Sequence, residues 1–350
     1  MTAGSAIAAA LLAALLFGAS TPFAKLLVGN VSPILLAGLL YLGSGLGLWM
    51  IRLLRAPARL VPHLPLHEWP WLLGAIAAGG VIAPILLMYG LTQVSASSAS
   101  LLLNLETVLT ALIAWLVFRE NADARIVLGV ILIVAGGAVL AWPQAQAHAA
   151  LGTLRGTALI AGACLFWAVD NNLTRKVSSA DADFIAATKG LAAGTTNLGL
   201  ALGLGAALPP AVLVLSAMSV GFFGYGLSLV LFVLALRGLG SARTGAYFSI
   251  APFLGAAIAV IALHEPTPTA FWLSACLMGV GVALHLSERH VHEHIHDPVD
   301  HGHSHVHDVH HQHAHNFFWD GTEPHVHQHH HEELVHDHPH YPDTHHRHRH

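Results

Sequence analysis

Ser95 to Glu120 reads SASSASLLLNLETVLTALIAWLVFRE: small hydroxyl residues, an apolar run, then an Arg-Glu pair. A helix needs about 20 mostly apolar residues to cross a bilayer core, and this run is long enough. The pattern is uniformly apolar rather than alternating, so it predicts a helix and not a barrel strand. Working outward, ten such stretches fit: 5–28, 32–51, 70–91, 95–118, 124–142, 154–175, 184–206, 212–236, 243–264 and 268–287. The first lacks a basic leader and nine more follow, so it is expected to be retained rather than cleaved. The spans are rich in Ala, Leu and Gly, and small residues let backbones approach where lipid gives no hydrophobic drive to pack. The expected fold is an all-α membrane protein of ten transmembrane helices.

Composition agrees. Apolar residues make up 55% of the 350 and charged residues 10%, against roughly 25% charged in a soluble domain. Through Arg289 there are 13 Lys/Arg and 9 Asp/Glu; from His290 onward there are 2 and 10, with 24 of the 29 histidines. The formal charge of -4 thus joins an oily, mildly basic body to an acidic, histidine-laden tail. This excludes an ordinary soluble enzyme, a nucleic-acid binder and a disulfide scaffold. Cys164 and Cys276 lie in apolar runs with no metal or redox spacing.

Basic residues near span ends set the orientation. With the N-terminus inside, Arg52, Arg55, Arg59, Arg119, Arg125, Arg175, Lys176, Arg237, Arg243 and Arg289 fall inside, and Lys25 and Arg155 outside. Ten spans then put the tail in the cytoplasm. The cell membrane is the expected location, the inner membrane in a Gram-negative bacterium.

The opening stretch has an echo. Ser241-Ala-Arg-Thr-Gly leads through Ala256-Ala-Ile-Ala-Val to His264-Glu265, 146 residues on at its start and 145 at its end. A weaker echo links Leu16-Phe17-Gly18-Ala19 to Leu165-Phe166-Trp167-Ala168. Two five-helix halves follow, over 1–148 and 149–289, with the tail at 290–350. Five is odd, so the halves are inverted, a common basis for alternating access.

Ten spans, two halves, the terminal Glu120 and Glu265, and the glycines Gly129, Gly136, Gly137, Gly279 and Gly281 together resemble the EamA-type transporters of the drug/metabolite transporter superfamily. The resemblance covers roughly 5–287. It implies a carrier of small metabolites, amino acids, nucleobases or drugs, often by exchange with protons or another solute. One position departs from the family pattern. The ninth span has the proline of Ile250-Ala-Pro252, and the fourth has Asn104-Leu-Glu106 instead.

A charge at bilayer depth is costly and defaults to a functional hypothesis. Glu106 lies half-way along the fourth span, near Asn104. Three roles are open to it: proton carrier, cation ligand, or partner to an internal base. The alternative is a neutral carboxyl that only joins helices. Hydrocarbon favours the protonated carboxyl and an approaching cation the charged one, a physical basis for coupled transport. Asp170, Asn171 and Asn172 form a second cluster, expected toward the inner end of the sixth span. Asp170 could line the cavity or pair with Arg175 or Lys176; the amides could bind solute or brace helices. Lys189 could snorkel or neutralise Glu106 or Asp170. Tyr89, Gln93, Tyr225 and Tyr247 are further cavity candidates. Glu120 and Glu265 are expected to shape loops. Tryptophans near span ends read as interfacial anchors.

The tail alternates histidine with other residues. The runs are His290-Val-His292-Glu-His294-Ile-His296, His301-Gly-His303-Ser-His305-Val-His307 and His310-His311-Gln-His313-Ala-His315. His325-Val-His327-Gln-His329-His330-His331, His336-Asp-His338-Pro-His340 and His345-His346-Arg-His348-Arg-His350 follow. Imidazoles suit Zn, Ni, Co or Cu, so the tail is expected to bind divalent metal ions. Its alternation could imitate strand, but acidic low complexity with few core residues predicts disorder.

The leading expectation is a secondary transporter in a lipid bilayer with a small-molecule solute, no cofactor required for transport, and a homodimer admissible. The alternative is a divalent metal ion or metal-chelate carrier with the tail as buffer or sensor. No Gly-x-x-x-x-Gly-Lys-Ser/Thr loop is present, so direct ATP-driven pumping is not expected. An enzyme is not expected either, because the intramembrane charges are too few for a catalytic constellation. A metal-sensing membrane scaffold is the third class.

Overall fold

The computed structural model describes residues 3–55, 65–118, 124–142, 147–177, 182–286, 290–296, 299–305, 325–331 and 334–340. Two compact units result, Met1–Glu288 and Arg289–His350.

The described part of the first unit is all helical. It opens with α1 (Ala3–Val28) and α2 (Pro33–Arg55). Pro33 begins α2, where its missing N–H costs nothing. Next come α3 (Trp69–Ala75), a π-helical segment (Ile76–Ile82) and α4 (Ala83–Leu91) as one rod. The following span is broken at Leu103 into α5 (Ala96–Leu102) and α6 (Asn104–Phe118). Then follow α7 (Ala124–Ala141), α8 (Ala147–Thr174) and α9 (Ala182–Gly203). The expected border between the halves thus falls in the first turn of α8. A second π-helical segment, Phe222–Leu227, joins α10 (Ala211–Gly221) to α11 (Ser228–Phe248). Within α11 the chain turns at Gly240, whose φ of 79° favours glycine. The unit closes with α12 (Ala251–Ala262) and α13 (Thr269–Leu286).

Seven helical segments among the described residues are long and apolar enough to cross a bilayer: Gly4–Val28, Pro33–Leu54, Leu66–Leu91, Ala96–Val117, Leu151–Thr174, Ala211–Gly240 and Arg243–Ala262. Arg125–Ala141 and Thr269–Leu284 are shorter apolar helices. The helix α9 is 22 residues long but carries Asp183, Lys189 and Asn197.

In the first half of α1 small residues face inward and large ones outward, whereas α2 buries Leu35, Leu36 and Leu40. On α1, Ala6, Ala10, Ala13 and Ala14 are fully buried, whereas Leu11, Leu12 and Leu15 are exposed. This inverts the soluble pattern, because lipid solvates leucine and close backbone approach needs alanine or glycine. The helix α2 is approached closely from two sides: a Cβ on Gly221 of α10 would overlap the Leu40 carbonyl, and one on Gly190 of α9 would lie 2.7 Å from the Gly45 Cα. The pair α7·α13 uses the same device at Gly136, where the Ser274 hydroxyl donates to the glycine carbonyl at 2.8 Å.

In the second unit the described residues form four strands: β1 (His290–His296), β2 (Val299–His305), β3 (His325–His331) and β4 (Leu334–His340). β1 pairs antiparallel with β4, and β2 with β3. The period-two alternation of the sequence matches the strand period. Of the expected metal ligands, His307, His310, His311, His313 and His315 lie outside the described residues.

Gly190→Leu should break the α2·α9 seam and lower stability by about 1–3 kcal/mol. Thermal unfolding in detergent measures this; an unchanged transition would show that the seam tolerates a side chain.

Candidate functional site

Two polar clusters meet on α8 because consecutive residues leave a helix about 100° apart. Asn171 faces α6. Its amide donates to Glu106 Oε1 at 2.9 Å and to Thr110 Oγ1 at 3.4 Å. Asp170 faces α9 and the first π-helical segment. It is 6% exposed and accepts both contacts of the Lys189 ammonium, at 2.5 and 2.7 Å. The Thr174 hydroxyl donates to Asp170 Oδ1 at 2.9 Å, and Lys189 also reaches Thr174 at 3.3 Å.

Gly79 makes the room. A Cβ there would overlap the Asp170 carboxylate. Gly79 lies midway along Leu66–Leu91, so Asp170, four residues from the end of α8, packs beside the middle of that neighbouring helix. The π-helical turn presents carbonyls that side chains satisfy. Tyr41 Oη donates to Gly79 O at 2.7 Å, Trp167 Nε1 to the same oxygen at 3.0 Å, and Asn197 Nδ2 to Gly80 O at 3.1 Å. Tyr41 lies within electrostatic range of Glu106 and Asp170. Its ring stands 5.6 Å from that of Tyr225 in the second π-helical segment. Phe17 continues the row, 6.2 Å from Tyr225 and 5.3 Å from Phe248.

The other expected residues lie elsewhere. Asn104 is 3% exposed and turns back to the Leu101 carbonyl at 2.9 Å, beside Met278. Asn172 donates to Ala168 O at 2.8 Å on its own helix. Tyr89 is 40% exposed near the end of α4, and Gln93 packs beside Gly156. Tyr247 packs against the cluster of Ala9, Ala10 and Ala235. Tyr41, Trp167 and Phe17 were not singled out by sequence reasoning. The usable signal was the mid-span glycine pair Gly79-Gly80, echoed by Gly224 and Gly226.

At the far end of α4 two charges brace the backbone. Lys25 Nζ donates to the carbonyls of Leu91 and Val94, at 2.5 and 2.8 Å. Glu265 accepts from the amides of Ala96 and Ser97 at 2.7 and 2.8 Å. A cation at a helix C-terminus and an anion at an N-terminus both match the peptide dipoles. Among residues with described side chains, no group of three or more His, Cys, Asp or Glu is placed to hold a metal ion.

Lys189→Met should leave Asp170 buried without its partner and cost about 3–5 kcal/mol. The double variant with Asp170→Leu should recover much of that loss. Thermal unfolding of the full cycle measures the coupling; additive losses would mean that the pair does not interact.

The EamA-like transporter family model matches this chain twice, over residues 4–142 and 154–287. A protein of Methanothermobacter thermautotrophicus described as an uncharacterized transporter is 29% identical over 285 residues, covering 77% of this chain and 82% of its own. A solved crystal structure aligns with a TM-score of 0.59 at 20% identity, over 79% of this chain and 95% of that one; that likeness concerns the fold alone. With both halves of its helical unit matched, the chain belongs to the EamA-like transporter family of multi-pass membrane proteins.

Proposed function

We propose that the chain is a secondary transporter of a small metabolite (an amino acid, nucleobase or drug-like solute), working by alternating access and coupled to protons or to exchange at Glu106. One observation carries this reading. Glu106 sits half-way along Ala96–Val117 with a neutral amide as its partner, while the ammonium nearby is held by Asp170. The cation is thus committed to Asp170, and the described partner of Glu106 is neutral. An isolated charge at the bilayer centre costs about 2.5–3.5 kcal/mol or more. A proton on Glu106 removes that charge, and so does a cationic group of a solute. The two exclude each other, and mutual exclusion is coupling.

Ten crossings in two inverted halves complete the proposal. The helices α7 and α13, 18 residues each, rise about 27 Å, close to the roughly 30 Å of hydrocarbon. With α9 they bring seven spans to ten. Two features support the repeat. The π-helical segments begin at Ile76 and Phe222, and the helix breaks fall at Leu103 and Ser249, each pair 146 residues apart. The first helix of each half also packs on the fourth span of the other, α1 on α12 and α8 on α6. The basic residues favour the cell membrane, with both termini in the cytoplasm. The tail binds divalent metal ions such as Zn, Ni, Co or Cu. A second reading, favoured by its 24 histidines, is a metal-ion or metal-chelate carrier buffered or sensed by the tail. A homodimer is compatible with either.

Counterflow in proteoliposomes, screening amino acids, nucleobases and divalent metals across a pH gradient, identifies the solute. Glu106→Gln should abolish coupled uptake and its pH dependence while leaving the protein in the membrane. Uptake with unaltered pH dependence would remove Glu106 from the mechanism. Deleting residues 290–350 should remove most metal binding and change organic-solute flux less. Metal binding that survives the deletion would move that property to the helical unit.

A further inference from the structure

The histidines of the described strands fall in register. In the β1·β4 ladder, His290 stands opposite His340, His292 opposite His338 and His294 opposite His336. In β2·β3, His301 stands opposite His329, His303 opposite His327 and His305 opposite His325. Directly opposed residues of an antiparallel pair share a face, with Cβ atoms about 4.5–5.5 Å apart. The same face returns every second residue, after about 6.8 Å. Each ladder therefore lines up three successive histidine pairs on one face.

The sequence bears the same arrangement independently. Histidines occupy even positions from 290 to 296 and odd positions from 301 to 307. On the returning arm the alternating histidines are odd from 325 to 331 and even from 336 to 340, with His330 added. The phase changes once in each arm, and one count serves both ladders: 290 meets 340 and 299 meets 331. Histidine accumulated only as bulk composition has no cause to change phase at two matching places.

We propose that divalent transition ions bind between these cross-strand histidine pairs, two neighbouring pairs supplying four imidazoles, so that metal binding and strand pairing are one event. The proposal rests on the reading of the tail as metal-binding and adds register to it. Neutral imidazoles bind zinc tetrahedrally at about 2.0–2.1 Å. A two-stranded ladder is marginal alone in water, and an ion held by both strands supplies the cross-link that an apolar face would otherwise give.

The test uses the full chain in detergent with zinc(II) as probe, read by calorimetric titration and by hydrogen exchange across 290–340. A first variant, H301G/G302H/H303S/S304H, moves two histidines by one position at constant composition. Zinc affinity of the second ladder should fall about tenfold or more, and zinc-dependent protection of 299–305 and 325–331 should vanish. A second variant adds H325V/V326H/H327Q/Q328H, which sets position 302 opposite 328 and 304 opposite 326; affinity and protection should return. Native affinity in the first variant, or no recovery in the second, overturns the ladder while leaving the tail a metal binder. Absence of zinc binding by the unaltered chain overturns both.

Discussion

Hydrocarbon offers a peptide group no partner, so a backbone carbonyl released from helical bonding must find a donor inside the protein. The π-helical segment at Ile76–Ile82 creates that demand at Gly79 and Gly80, and three helices answer it. Tyr41 comes from α2, Trp167 from α8 and Asn197 from α9. The bulge is thus a docking point rather than a local defect. By fixing Trp167 it fixes the rotation of α8, and that rotation sends Asn171 to Glu106 and Asp170 to Lys189. The second π-helical segment joins through Tyr225, whose ring meets that of Tyr41. The two irregular segments are therefore in touch through an aromatic pair, and neither polar cluster would be aligned without them.

The two clusters differ in kind. Asp170 and Lys189 neutralise each other with short, doubled contacts and a threonine filling in. Such a pair changes occupant only at large cost, since either partner left alone is a buried charge. Glu106 has a neutral companion on an exposed asparagine. The first cluster is suited to holding helices in register and the second to trading partners.

Much of this was legible beforehand, for stated reasons. A lone carboxylate in the middle of an apolar run is conspicuous, so Glu106 needed no structure to be noticed. Seven of the spans were legible because apolar length is nearly all a bilayer demands. Depth was harder. Asp170 counts near the end of its span, but its neighbour is a mid-span glycine, and only packing reveals that. Asn104 and Glu106 are two apart, which on a helix points them to different sides, and it is Glu106 that meets Asn171. Tyr41 and Phe17 carried no signal, since a ring in an apolar run looks like any other apolar residue. In the tail, alternation was visible, but the pairing of one arm with the other depends on a long-range count that local reading does not perform.

Lys25 and Glu265 hold backbone at the two sides of a single turn, one on the carbonyls that end α4, the other on the amides that start α5. Both charges are thereby answered by fixed peptide dipoles and are poor stepping stones for a stray ion. The turn between these helices is thus clamped from two distant parts of the chain, α1 and the segment after α12, and its ends cannot part without breaking a charged contact.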